Sequence, residues 1–493
     1  SRRDDLPESH QSTSGRFLIH YALEGSDRVS GEDTDGNEVP DYVEEAAAAF
    51  DSVYVLEVEK LGYRKPLSDG DATWDVYLLN LSGVYGYTYP EKTIGRGSTC
   101  YLEIDNNYTD NFFPTKGLDA LRVTAAHEFF HVVQFSYYGL GGLEWWMEVC
   151  STWMEDLAYD EVNDYYFYLK AFFDYPEKPL DTKNNGHEYG AAVFAHYLSK
   201  RFRPSVIREI WEEIRTSGQT DMRPLDRTLA RFLSGGLASA MKEFAVWNYF
   251  TGSRALPDRY YPEAAHYPEV TIKKQHTEYP AASNGTLGHL AAHYIQFSGT
   301  QGRPGGLSLT FEPHDINRWW SALVGFSSEG TDTIWAVKNG MGTLVGWDAF
   351  REIALIAQVT SHTGYNFGYK YAGIYDPTLT EKIVPEQSFV GILAPNPFVV
   401  GGDGTDEVTL PFDLADPEGS TVTLSVYTLD GFLVWHEVWP DLEEGNYAHL
   451  AGWDGKNERG RTVGSGIYLV RLILENDSGT VEAVRKIAVI RAR

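Results

Sequence analysis

The feature that most limits how this chain can fold is a change of periodicity near residue 278. Ahead of it, from about residue 16, short strand-like runs alternate with long helical patterns. "ATWDVYLLNLSGVYGYTYP" and "TCYLEIDNN" set Val, Tyr, Ile and Leu between Gly, Asn and Pro, which is the composition of strands. "PDYVEEAAAAFDSVYVLEVEKLG", "GLDALRVTAAHEFFHVVQFSYY", "LEWWMEVCSTWMEDLAYD", "YGAAVFAHYLSKRF" and "SVIREIWEEIR" repeat apolar residues at helical spacing. Beyond it, "GHLAAHYIQFSG", "GGLSLTFEP", "WWSALVGFSS", "DTIWAVKNG" and "REIALIAQVTS" are short, turn-bounded and alternating, which predicts a β-sandwich. A third unit opens around "EKIVPEQSFVGILAPNPF" and again reads as strands, from "EVTLPFDL" to "RKIAVIRAR". At 493 residues the chain is too long for one ordinary core. The expected fold class is therefore multidomain α+β: a mixed domain over 1–278, a β-sandwich over 279–383 and a second over 384–493.

Within the helical half, "VTAAHEFFHVVQFSYY" places His127, Glu128 and His131 in an H-E-x-x-H pattern. Residues four apart share one helix face, so His127 and His131 can offer both imidazoles to one metal with Glu128 beside them. Zinc in a catalytic site takes three protein ligands and a water whose pKa it lowers to about 7. The following helix supplies candidates for the third ligand in Glu144, Glu148 and Glu155. Glu148 lies among Trp145, Trp146, Met147, Val149 and Cys150, and a carboxylate in such a run needs a partner. "GLGG" lets the chain turn back so that the second helix faces the first, and Glu155, seven residues on, can accept from a ligand imidazole. The alternative is that both helices are ordinary amphipathic packing.

A second metal pattern is "DTDGNEVPDYVE", residues 33–44. Counted from Asp33, oxygen donors fall at positions 1, 3, 5, 9 and 12 as Asp33, Asp35, Asn37, Asp41 and Glu44, with the Val39 carbonyl at position 7. That is the ligand order of an EF-hand or dockerin-type calcium loop. Gly36 stands at position 4, Glu38 takes the place usually held by glycine, and Pro40 is unusual. The alternative is an acidic turn that caps the next helix.

"HEFFH" followed by "WWMEVCSTWMED" resembles the gluzincin metallopeptidases, whose second helix reads W-x-x-E-G-x-A with a further acid seven residues after the ligand Glu. The resemblance implies a zincin-like catalytic domain with His127, His131 and Glu148 as zinc ligands and Glu128 as general base. Val149 and Cys150 depart from the Gly and its neighbour usual there, which touches subfamily and pocket and leaves the ligands intact. "FLIHYALEG", "DTDGNEVPDYVEE" and "FAVWNYFTGSR" further resemble a group of secreted bacterial metallopeptidases, over about residues 16–260. By the same resemblance, "GHEYGAAVFAHYL" is similar to the helix on which gluzincins carry a tyrosine that donates to the oxyanion. Tyr189 is the match, His187 is the rival donor, and a plain core tyrosine is the alternative to both. In gluzincins the strand before the metal helix lines the substrate cleft. That brings Cys100 and Cys150 toward each other, as a disulfide or as two buried thiols. "APNPF", "LSVYTLDGFLVWHEVW" and "WDGKNERGRTVGSGIYLVRL" resemble the small immunoglobulin-like C-terminal domains of hook-capping type and of type IX secretion sorting signals. This implies sorting or surface attachment, against a generic β-sandwich with a tight "DGKNERG" turn.

Charge narrows the partners. With 70 acidic against 41 basic residues the net charge is -29, which repels nucleic acid and anionic membranes. The basic cluster "SKRFRP" is too short to offset it. No apolar run is long enough to span a bilayer, and two cysteines are too few for a disulfide scaffold. Neither a G-x-S-x-G elbow nor a phosphate-binding glycine loop occurs. The start "SRRDDLPESH" lacks an apolar signal core, as in a mature form or a protein without one. The expected function is that of a secreted or surface zinc metallopeptidase with calcium, an endopeptidase rather than an aminopeptidase, acting on protein or peptide. The rivals are a calcium-stabilised surface binding protein on an inactive peptidase fold, and a zinc hydrolase with another substrate.

Overall fold

The computed structural model describes residues 6–491 apart from 69, 71–72, 257, 299–303, 316–317, 328–329, 331, 338–339, 380–388, 391–396, 401–406, 415–418, 443–444, 448–449 and 477–478. It is mixed helix and sheet, with several separate sheets. The chain divides into two compact units, the first made of Ser1–Arg231, Gly235–Arg303 and Leu307–Asp376, the second chiefly of Pro377–Arg493.

The first unit begins with a five-stranded sheet of order β1-β2-β3-β5-β4, where β1 is Glu8–Gln11, β2 Phe17–Tyr21, β3 Trp74–Leu79, β4 Gly86–Ile94 and β5 Gly97–Asp105. Strands β2, β3 and β5 run parallel, and β4 closes the edge antiparallel to β5 with Thr88 opposite Leu102. Alternation sends Phe17, Ile19, Trp74, Val76 and Leu78 to one buried face. Helix α1 (Asp41–Tyr54) and helix α2 (Gly117–Tyr137) cover that face. Phe17 meets Phe50 of α1 and Phe129 of α2, each with ring centroids 5.3 Å apart. Each such fully buried aromatic contributes about 1.5–3 kcal/mol.

Helix α2 is buried on nearly every side from Ala120 to Tyr137, the pattern of a helix at the centre of a domain. It ends at Tyr137, and Gly141 and Gly142 turn the chain at φ +85° and +89°, a region open to glycine, into helix α3 (Glu144–Ala158). Around this pair lie α4 (Tyr166–Phe173), α5 (His187–Gly190), α6 (Ala192–Arg201), α7 (Ser205–Ser217), α8 (Arg223–Leu229) and α9 (Gly236–Tyr249). The sequence predicts one helix over "YGAAVFAHYLSKRF"; the structure breaks it at Ala191. Gly190 packs against α4 so closely that a Cβ there would lie 2.6 Å from the Tyr168 carbonyl oxygen.

Strands β6 (Ile272–His276), β7 (Ala281–Leu287), β8 (Ala292–Phe297), β9 (Gly306–Pro313), β10 (Trp319–Ser327), β11 (Asp332–Ala336), β12 (Met341–Leu344), β13 (Phe350–Val359) and β14 (Phe367–Asp376) follow. They form two sheets, β11-β10-β13-β8-β6 and β12-β9-β14-β7, whose facing residues Ile295, Phe297, Leu309, Leu323, Leu355 and Tyr369 share one apolar core. Buried Arg254, just after α9, pairs with Glu352 of β13 at 3.1 Å, and Tyr294 of β8 donates to the Ala245 carbonyl at 2.8 Å. These bonds tie the sandwich to the helices.

Among its described residues the second unit is all β. Its main sheet runs in the order 398–400, 479–491, 466–476, 420–428, 433–442, over a core of Phe398, Leu424, Trp453, Leu472 and Ile487. The "DGKNERG" turn is built on Asn457, whose Oδ1 accepts from the Arg459 and Arg461 amides at 3.0 and 3.1 Å, with Gly460 at φ +70°. Ala394, Pro395 and Asn396 of "APNPF" lie outside the described residues.

Candidate metal centre

The hairpin of α2 and α3 brings together the three residues expected as ligands. His127 Nε2 lies 3.1 Å from His131 Nε2 and 3.2 Å from Glu148 Oε2, and His131 Nε2 lies 3.5 Å from the same oxygen. Both imidazoles are held from behind. His127 Nδ1 donates to Glu155 Oε1 at 2.6 Å, and His131 Nδ1 to Gln134 Oε1 at 2.8 Å. With Nδ1 of each ring engaged in this way, both Nε2 atoms face inward, as metal ligation requires. Gln134 is anchored in turn through its amide, to the Met147 carbonyl at 3.0 Å and Ser151 Oγ at 3.2 Å. A tetrahedral zinc with bonds of about 2.0–2.1 Å separates its ligands by roughly 3.3 Å. The three donors match that spacing.

Charge fits a cation as well. Glu128 and Glu155 are both only 6% exposed, Asp164 is buried, and Glu57 is fully buried with neither oxygen hydrogen-bonded among the described residues. Burial works against a charged imidazole at His127, but its hydrogen bonds to the Glu148 and Glu155 carboxylates prevail and hold its pKa well above the usual value. Glu148 is pushed up by burial and pulled further down by the two imidazoles, ending well below the carboxylate range. Burial raises Glu155 to about 7 against the pull of His127. A divalent ion would supply the positive charge that this pocket otherwise draws from protons.

Glu128 reaches β4, where Thr88 Oγ1 donates to its Oε2 at 2.7 Å. The Tyr189 ring lies 6.1 Å from that of His127, close to parallel at 24°. Its hydroxyl stays protonated, because burial and the Glu148 and Glu128 carboxylates raise its pKa. His187 is fully buried, with Nδ1 on the Ala171 carbonyl at 3.2 Å and its ring against Phe172. Burial lowers its pKa to about 4.

The acidic loop is arranged differently from a ready cage. Asp33 accepts from the backbone amides of Gly36, Asn37 and Glu38, and the Asn37 amide group bridges Asp35 and Glu44. Asp41 turns away to the Thr34 amide at 2.8 Å, while Val39 donates its own N–H to Asn37 Oδ1. The disulfide alternative is corrected: Cys100 and Cys150 are free and buried, because Cys150 on α3 faces Trp211 while the Cys100 thiol lies by the Ser98 carbonyl.

Sequence reasoning missed Thr88, Gln134, Ser151 and Glu57. Gln134 was findable, three residues after His131 on the same helix face. It also missed a second acidic cluster, Asp156, Asp160 and Glu263, whose oxygens lie within 4.8 Å of one another. Tyr165 donates to Glu263 there.

No protein-family model matches the chain, and no curated protein matches it. Among solved structures it is similar to a β-glucuronidase of Parabacteroides merdae, with 11% identity over 43% of this chain and 28% of that one, at a TM-score of 0.18. Latent PorU of Porphyromonas gingivalis shows 14% identity over 46% of this chain and 21% of that one, at 0.20. A DUF4785 family protein of Legionella pneumophila shows 11% identity over 45% and 70%, at 0.13. The matched stretches thus span less than a third of the first two proteins, and at these scores none of the three bears on the fold or chemistry of this chain.

Proposed function

We propose that the chain is a zinc-dependent metallopeptidase of gluzincin type, an endopeptidase that hydrolyses peptide bonds in proteins or peptides. One observation carries the reading: His127 Nε2, His131 Nε2 and Glu148 Oε2 converge within 3.1–3.5 Å, with both imidazoles pinned from behind and Glu128 next along the helix. Zinc, when bound by these three, acts as a Lewis acid that acidifies water and polarises a carbonyl. The chain's own groups do the rest. Glu128 takes a proton from the attacking water and returns it to the leaving amine. Tyr189, neutral at any physiological pH, donates its hydroxyl to the developing oxyanion, a contribution of a few kcal/mol when preorganised. Glu155 and Gln134 keep the imidazoles aimed. Secretion, and sorting or attachment through the C-terminal unit, belong to the same reading, as does calcium in the Asp33–Glu44 loop. Among the described residues no helix is long and apolar enough to cross a membrane.

The test is hydrolysis of a peptide library by wild type and Glu128→Gln. The expected result is cleavage that a chelator abolishes in the wild type, and a loss of about a thousandfold or more in the variant at unchanged zinc content. Cleavage by the variant at the wild-type rate would refute the assignment of Glu128.

A further inference from the structure

We propose that Thr88 is a positioning residue that decides which oxygen of Glu128 takes the proton, an inference that deepens the peptidase reading and rests on it. Thr88 stands on β4, the edge strand, and its hydroxyl lies 2.7 Å from Glu128 Oε2 and 2.9 Å from the Glu128 main-chain carbonyl oxygen. A hydroxyl has one hydrogen to give, and an ionised carboxylate accepts it more strongly than an amide carbonyl. Gly86 is two residues earlier and therefore on the same face of the strand. A Cβ at Gly86 would lie 2.8 Å from Glu128 Cγ and 3.0 Å from Oε1.

Strand β4 thus forms a seat in two parts: Gly86 leaves the space and Thr88 supplies the hydrogen. Because Glu128 is buried, bulk water competes little for this bond. With Oε2 engaged, the lone pairs of Oε1 remain for the incoming proton. The O–H bond of the attacking water breaks as its oxygen bonds to the carbonyl carbon, its proton goes to Oε1, and the Thr88 hydrogen stays on Oγ1. Transfer of that proton from Oε1 to the leaving nitrogen as the C–N bond breaks restores the carboxylate, so no further reactant enters. A plain staple of strand to helix would make no distinction between the two oxygens and would leave turnover unchanged once the protein is folded.

The experiment compares Thr88→Val, Thr88→Ser and Gly86→Ala, with Glu128→Ala as a second site. In peptide hydrolysis, Thr88→Val lowers kcat about 10–100-fold with KM and zinc content unchanged, Thr88→Ser recovers most of the loss, and Gly86→Ala reproduces it. In thermal unfolding of the metal-free protein, Thr88→Val lowers Tm by about 1–3 °C in the wild-type background. The loss is smaller when Glu128 is already Ala, because only the main-chain carbonyl of residue 128 is then left to accept from the hydroxyl. Equal kcat for the Thr88→Val variant and wild type, or the same Tm loss in both backgrounds, would overturn the proposal. Should the wild type cleave no peptide, the peptidase reading falls, and the Tm comparison alone decides whether Thr88 holds Glu128.

Discussion

Asp156 illustrates how far single residues in this protein depart from their solution behaviour. Burial, then Glu263 and Asp160, raise its carboxyl to about 7, while His196, 3.7 Å away, is kept neutral by burial with a pKa near 3. A carboxyl whose folded pKa is raised favours folding below its unfolded value near 4, and that contribution is lost as pH rises through about 7. Asp156→Asn removes the charge that the folded state resists. We expect the variant to be more stable than wild type at pH 8, on the order of 1–3 kcal/mol, and little different near pH 4. Chemical denaturation at the two pH values checks this, and a variant less stable at pH 8 would contradict it. Glu148 follows the same logic in the opposite sense, since the two imidazoles outweigh its burial and draw it well below the carboxylate range.

At the scale of elements, the α2–α3 hairpin sets the ligand geometry and the acidic loop sets how α1 begins. Four buried side chains on α3, Trp146, Val149, Cys150 and Met154, fix its rotation, so that Glu148 and Glu155 face α2. In the loop, Asp33 gathers three backbone amides and Asn37 links Asp35 to Glu44, so these oxygens are engaged by the loop's own N–H groups. Titration calorimetry is expected to show about one calcium per chain taken up by wild type and none at this loop in Asp33→Ala. Equal uptake by both proteins would assign the loop to helix capping alone.

Across the whole molecule, strong periodicity was readable and tertiary context was not. Helices α2, α3 and α7 and strands β3 and β5 repeat apolar residues at clear spacing and form where the pattern places them. Helix α4, "YFYLKAFF", has the aromatic composition of a strand and is helical because it packs on α5 through Gly190. The histidines, Glu128, Glu148 and Glu155 were legible because they share two helices at fixed intervals. Thr88 and Glu57 were not, because folding alone brings β4 and the π-helical turn after α1 to Glu128 and His127. The sandwich of β6–β14 supplies Glu352 to Arg254 and Asp332 to Tyr260, beside α9. A chain ending at Asp376 is therefore expected to keep zinc and hydrolysis within about threefold of the full chain, and one ending at residue 278 to lose both. Equal activity in the shorter chain would show that the sandwich is dispensable.

The central claim is a metal held by two imidazoles and one carboxylate, and zinc-edge X-ray absorption on the full chain loaded with one equivalent of zinc tests it most directly. The account predicts a shell of about four nitrogen and oxygen donors near 2.0–2.1 Å with the multiple-scattering signature of two imidazoles, reduced to one in His131→Ala. Failure to retain zinc, or a shell without imidazole, would contradict it.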